Sequence, residues 1–298
     1  KEFMFKNNIP TSKYSFVNSV DDVYDFANRV GFPLILKPVD NSASRGISFT
    51  QNKESVKEYF EEAVSFSNKK QVIVEEYLTG PQISSETFII EGKVYNVAFL
   101  DRNYDDMKRF YPNIIENGGD MPSKHMSAKH KETLEDYWLQ IAKELNIKNG
   151  VIKGDLVIHN NELHIIEFAL RLSGGNFSTK CIPESTGIDF IKIAILQSLN
   201  MQIDLDLLEN TNNNYISMRY LFIEDINKSN RVLKDVEVSK DSENIIMSSI
   251  YVYKGEKLPK RTKNHAQRLA CVVSKANSRV NAIKTSDDFL SEMEINVE

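Results

Sequence analysis

Residues 31–40, GFPLILKPVD, run without interruption into NSASRGI at 41–47. The apolar run predicts a short buried strand over 33–39, carrying Lys37 near its end. The loop behind it is built from small residues, Ser42, Ala43, Ser44 and Gly46, with one guanidinium, Arg45. Small side chains let backbone N–H groups approach an anion closely, and the lysine and arginine add charged donors. A phosphate chain is the ligand such a segment suits. The lysine precedes the loop, so this is not the GxxxxGK[ST] phosphate loop. A polar hairpin turn with a snorkelling lysine is the plain alternative.

The chain has 298 residues, 41% of them hydrophobic and 27% charged, enough for a large core and two or three subdomains. A formal net charge of −5 gives no general attraction for nucleic acid. No apolar run reaches the ~18 residues of a membrane span, and the N-terminus has no signal-peptide layout. Cys181 and Cys271 lie far apart without metal spacing, as reduced thiols of a cytoplasmic protein would. The five histidines show no ligand spacing either. The opening KEFMFKNNIP reads as the inside of a helix leading to a turn at Pro10, so a segment ahead of Lys1 is expected to be absent from this chain.

Helical spacing predicts helices over 20–30, with Ser19 as N-cap and Gly31 as stop, and over 53–66, with Asn52 as cap. Further helices are expected over 128–145, 188–199 and 276–290. Strands are expected at 47–50, 71–78, 83–90, 93–100, 151–158, 163–168, 216–223, 245–253 and 269–274. The polar stretch 102–124 predicts a loop over a site, and the Asn-rich stretch 210–214 a linker. This alternation predicts α+β or α/β layers.

A second constellation lies on the hairpin 151–168. Asp155 and Glu167 fall on opposite strands, where a short hairpin brings them face to face. Two facing carboxylates repel unless a cation lies between them, and oxygen ligands suit Mg²⁺ bound together with phosphates. Arg171 follows four residues on, placed to neutralise phosphoryl charge. A surface salt-bridge ladder is the alternative. The amides of Ser173, Gly174 and Gly175 form either a carboxylate or phosphate cradle or a plain turn. Residues 74–78, VEEYL, end a strand whose main chain could meet an adenine edge, or are simply a strand end.

In order along the chain, these segments resemble the ATP-grasp superfamily, in the carboxylate–amine ligase branch with biotin carboxylase-like, carbamoyl-phosphate-synthetase-like and L-amino-acid-ligase-like proteins. KEFM followed by NIPT looks like the family's opening helix, whose lysine, here Lys1, contacts ATP phosphate. GFPLILKP looks like the strand bearing the second phosphate lysine, Lys37, and Ser42, Ser44, Arg45 and Gly46 belong to the flexible phosphate loop. Glu75, Glu76, Tyr77 and Leu78 take the adenine hinge. The resemblance implies Asp155 and Glu167 as ligands of Mg²⁺ (or Mn²⁺), Arg171 and Lys37 as catalytic groups, and Ser173, Gly174 and Gly175 with Arg171 as the substrate cradle.

Two departures stand out. The family often has GluxAsnxArg at the metal strand, and here Ala169 takes the asparagine position. Gln82 occupies a place where relatives have a ribose-binding glutamate, and Glu86 is the nearest carboxylate to compensate. The implied fold is α+β, with two α+β subdomains gripping ATP (1–80 and 81–209) and a C-terminal α/β lobe (210–298). The implied activity is an ATP- and Mg-dependent ligase that joins a small-molecule carboxylate to an amine through an acyl phosphate. A kinase or carbamoyl-phosphate-type enzyme and a non-catalytic nucleotide-binding module stay open on the same fold. No nucleic-acid or membrane partner is expected, and a homodimer is a candidate assembly.

Overall fold

The computed structural model describes residues 1–238 and 243–298. Helix α1 (Glu2–Lys6) and strand β1 (Tyr14–Val17) open the chain, followed by α2 (Val20–Val30), β2 (Leu34–Pro38), β3 (Ser48–Thr50), α3 (Val56–Phe66) and β4 (Val72–Glu76). The four strands form an antiparallel sheet in the order β1-β4-β2-β3. Val23, Phe26 and Phe60 of the helices pack on Leu34, Leu36 and Val74 of the strands. Ser19 caps α2 as expected: its hydroxyl accepts the Asp22 N–H at 3.2 Å, and the Asp22 carboxylate accepts the Ser19 N–H at 2.9 Å. Helix α3 starts later than expected. Asn52 accepts the Ser55 N–H at 3.2 Å, closing the turn ahead of the helix instead of capping it.

The chain continues through β5 (Gln82–Ile90), β6 (Lys93–Asn103), α4 (Met107–Phe110), β7 (Gly118–Met121), α5 (Ala128–Glu144), β8 (Gly150–His159) and β9 (Glu162–Ala169). A π turn (Phe177–Cys181), α6 (Ile182–Thr186) and α7 (Phe190–Ser198) follow. The last elements are β10 (Tyr215–Leu221), α8 (Ile223–Ile226), β11 (Leu233–Glu237), β12 (Ile245–Ile250), β13 (Ala270–Ala276), α9 (Arg279–Ser291) and β14 (Glu294–Val297). Eight strands form a second antiparallel sheet in the order β12-β13-β10-β7-β6-β5-β8-β9, and β11 pairs with β14.

Strand β7 corrects the reading of 102–124 as loop. Its GGDM sequence has neither β-branched residues nor alternation, and its pairing comes from β6 on one side and β10 on the other. Because β10 joins β7, the sheet runs unbroken across residue 210. The opening residues also belong with this larger sheet. Met4 and Ile9 pack among Ile83, Trp138 and Leu156, and Ile165 N–H donates to the Pro10 carbonyl at 2.8 Å. Gly80 marks the passage from the first sheet to the second. It has φ +138°, and a Cβ there would lie 2.0 Å from the Ile158 carbonyl oxygen, so only glycine fits. Cys181 and Cys271 are buried free thiols. Among the described residues no helix is long and apolar enough to cross a membrane.

Candidate active site

A cavity of about 930 Å³ is lined from both sheets. Lys37 reaches it from β2 and Lys1 from the head of α1, and β4 sets Glu75 between them. Adjacent strand residues point to opposite faces, which separates Glu75 from Glu76. Glu75 is buried, with Oε1 2.6 Å from Lys37 Nζ and Oε2 3.1 Å from Lys1 Nζ. Ser12 donates its hydroxyl to Oε2 at 2.8 Å, and Lys1 donates to Thr11 and Ser12 at 2.8 and 2.6 Å. Burial alone would raise the Glu75 carboxyl, but Lys37 and Lys1 outweigh it and hold it at about 2. Burial brings the Lys1 ammonium down to about 8 against the pull of Glu75.

The Glu75 side chain is therefore a bridge between the two expected phosphate lysines. Glu76 accepts the Lys13 N–H at 2.7 Å. The Tyr77 N–H donates to the Pro33 carbonyl at 3.2 Å. The Leu78 N–H and the Tyr77 carbonyl have no partner among the described residues, leaving one donor and one acceptor at the hinge. Gln82 lines the cavity beside them.

The loop with Ser42, Ser44 and Arg45 also lines the cavity. Ala43 and Ser44 sit at φ +56° and +59°, a left-handed stretch costly for residues with a Cβ. Gly46 stands off the cavity wall at φ +71°, where a Cβ would come 2.8 Å from the Phe66 side chain. The far side of the loop is tied to the C-terminal region. His265 N–H donates to the Ala43 carbonyl at 3.0 Å, and the Ser44 hydroxyl lies 3.2 Å from His265 Nε2.

Asp155 and Glu167 are direct register partners across β8 and β9, beside a bulge after Asp155. Their environments differ. Asp155 is buried, with Oδ2 2.5 Å from Lys153 Nζ and Oδ1 3.1 Å from both Arg102 Nη1 and the Ser84 hydroxyl. Burial works to raise its carboxyl, but Arg102 and Lys153 prevail and hold it at about 2. The Glu167 side chain is 59% exposed, and its nearest cation is Lys153 at 3.9 Å. Among the described residues no three His, Cys, Asp or Glu side chains gather as a metal site. The pair still fits a divalent cation that arrives with phosphates, since Mg²⁺ is commonly held by one or two carboxylates, phosphate oxygens and water. Glu167 would be the open ligand, and Asp155 would join by releasing Lys153.

Arg171, Ser173, Gly174 and Gly175 line the cavity next to this pair. Arg171 is exposed and donates to the Leu172 carbonyl at 2.9 Å. Glu86, expected to compensate at the nucleotide, is off the cavity wall and wholly buried. Its Oε1 accepts the Ser173 N–H at 2.6 Å and the Ser178 hydroxyl at 2.8 Å, so it fixes the 173–178 loop.

Arg102, Tyr104 and Glu116, from the stretch expected over a site, line the cavity with Lys153, Tyr220, His265 and Arg268, and sequence reasoning singled out none of these side chains. Arg102 Nε and Nη2 hold Glu116 Oε2 at 3.0 and 2.8 Å. Burial pushes the Glu116 carboxyl up, but Arg102 and Arg268 bring it below its ordinary value. Burial and then Arg268 depress His265 to about 3, so its ring is neutral. The Glu116 N–H donates to His265 Nε2 at 3.2 Å, which assigns the ring proton to Nδ1.

Residues 1–206 match the family model of the carbamoyl-phosphate synthase L chain, ATP binding domain. The chain belongs to this family. Its fold is the ATP-grasp fold, as solved structures show. An L-amino acid ligase from Bacillus licheniformis superposes with a TM-score of 0.79 at 15% identity, over 100% of this chain and 70% of that one. The biotin carboxylase domain of Hydrogenobacter thermophilus 2-oxoglutarate carboxylase, in complex with MgADP, ADP and bicarbonate, gives 0.73 at 18% identity, over 100% and 65%. A phosphoribosylglycinamide synthetase from Anaerococcus prevotii gives 0.67 at 16%, over 100% and 72%. At these identities the likeness is one of fold.

Proposed function

We propose that this ATP-grasp chain is a ligase that activates a carboxylic acid with ATP and joins it to an amine. The observation that carries the reading is the meeting, on one cavity, of two lysines sharing a single buried carboxylate with a pair of carboxylates in strand register. A triphosphate can take over the lysine charge that Glu75 now balances. The adenine edge would meet the Leu78 N–H and Tyr77 carbonyl, and Ser42, Ser44 and Arg45 would cover the outer phosphates. The first 80 residues would supply the phosphate grip, residues 81–209 the acid and metal site, and residues from 210 the opposite wall.

The acid, oriented by the amides of Ser173 to Gly175, would attack the γ-phosphorus through a carboxylate oxygen. The bond from that phosphorus to the β-phosphate oxygen breaks and ADP leaves. The amine then attacks the acyl carbon, the C–O bond to phosphate breaks, and the nitrogen loses a proton. Arg171 would balance charge on the transferred phosphoryl group, and Lys37 would hold its oxygens in line. Mg²⁺ held by Glu167 and Asp155 would supply further neutralisation of the phosphate oxygens. Loop closure would keep water from the acyl phosphate. Dimerisation and a cytoplasmic location belong to this proposal as well.

ADP release, measured with MgATP and a panel of carboxylic acids with and without amines, tests the reading. ADP formed only when acid and amine are both present supports it. A stable phosphorylated acid formed without amine, or no turnover with any pair, contradicts it.

A further inference from the structure

The cavity wall carries a cation that the mechanism above does not use. Arg268 stacks on Tyr220, its guanidinium carbon 3.5 Å from the ring centroid. Its Nη2 donates to the Glu116 carbonyl at 2.6 Å. Nε and Nη1 make no hydrogen bond among the described residues, and no carboxylate lies in ion-pair range of the side chain. Two other cations on the cavity wall are engaged. Arg102 is shared between Glu116 and Asp155, and Lys153 is held by Asp155.

The surroundings define what Arg268 can receive. Glu116 spends its carboxylate on Arg102, and the neutral ring of His265 is tied to the Glu116 amide. The expected substrate loop is adjacent: a Cβ on Gly175 would stand 3.5 Å from the Tyr220 hydroxyl. Leu100, Phe177 and Met218 supply apolar wall on the same cavity. A guanidinium held against an aromatic ring and tied by one amine to a backbone carbonyl is restricted in orientation, so it can select a planar anion instead of merely attracting charge.

We propose that Arg268 is the carboxylate anchor of the acid substrate, and that this acid has an apolar body lying on the Tyr220, Met218 and Phe177 wall. This rests on the ligase reading and adds to it a binding residue and a substrate class. Arg268 selects acids over their uncharged amides, and it acts on acid binding rather than on nucleotide binding.

The test is calorimetric titration of the protein, loaded with Mg²⁺ and a non-hydrolysable ATP analogue, with hexanoate, 3-phenylpropionate and their primary amides. At least one acid is expected to bind about tenfold or more tighter than its amide. Arg268→Gln should abolish that preference, and Arg268→Lys should recover only part of it, because an ammonium lacks the planar fork. The nucleotide analogue should bind both variants within about twofold of wild type, since Arg268 is assigned no phosphate contact. If a variant fails to fold, phenylglyoxal modification of the wild-type protein answers instead: the acid, and not its amide, should protect Arg268 in peptide mass maps. Equal binding of acid and amide, undiminished acid binding by Arg268→Gln, or no acid binding to nucleotide-loaded protein would each overturn the proposal. Failure of the analogue itself to bind would overturn the ligase reading beneath it.

Discussion

Asp155 and Glu167 face each other across β8 and β9 on one cavity, but Asp155 is buried against Lys153 and Arg102 while the Glu167 side chain is 59% exposed. The same substitution should therefore have different consequences at the two positions. Asp155→Asn leaves two buried cations short of a counter-charge and should cost on the order of 3 kcal/mol of stability. Glu167→Gln removes an exposed carboxylate, should change stability by less than about 0.5 kcal/mol, and should abolish ATP turnover. Urea melts with ADP-release assays separate the two. Near-normal turnover by Glu167→Gln would remove it from the metal site.

Lys37 lies 2.6 Å from Glu75, and its charge is the one a triphosphate would claim. Lys37→Ala should weaken ATP binding about tenfold or more. Fluorescent-nucleotide displacement measures this, and unchanged affinity would exclude Lys37 from the phosphate grip.

Acid should expose the same bridges. Glu75 and Asp155 each titrate at about 2 in the folded chain, below the ordinary carboxylate value of the unfolded one. Folding therefore disfavours their protonation. Each stabilises the protein fully above the unfolded value and loses that contribution as pH falls toward 2, an effect on the order of 2 kcal/mol per group. Urea midpoints should be nearly level between about pH 5 and 7 and fall steeply below about pH 4. Glu75→Gln should be less stable at neutral pH with a shallower acid slope. A variant slope matching wild type would mean that Glu75 does not bridge the lysines.

Among the described residues Arg171 donates only to a neighbouring carbonyl, and it is an exposed residue of the cavity lining. Arg171→Ala should lower kcat by about a hundredfold or more while changing the KM for ATP by less than about threefold. The opposite pattern would make it a nucleotide-binding residue.

The fold is legible in the sequence where the local chain decides the structure. The apolar run ending at Lys37 is a strand, Ser19 caps its helix, and the hairpin register pairs Asp155 with Glu167. The missed features are made by the assembled sheet. Strand β7 has no strand-like residues, and Gly118 is needed because a Cβ there would come 2.4 Å from the Met218 carbonyl oxygen. Strand alternation shows that Glu75 and Glu76 diverge, but Lys1 and Lys37 choose Glu75 as their bridge only after the two sheets come together. Lys153 was legible as a same-face neighbour of Asp155, two residues along β8. His265 and Arg268 reach the cavity from beyond the Asn-rich stretch through the sheet continuity at β10, which no spacing in the sequence records.

In the proposed reaction a carboxylate oxygen attacks the γ-phosphorus. Following ¹⁸O from a labelled acid into released phosphate, with an acid and amine pair that supports ADP formation, tests it directly. One ¹⁸O atom in each phosphate released is the expected result. Unlabelled phosphate, formed while ATP is consumed and the amide accumulates, would contradict it.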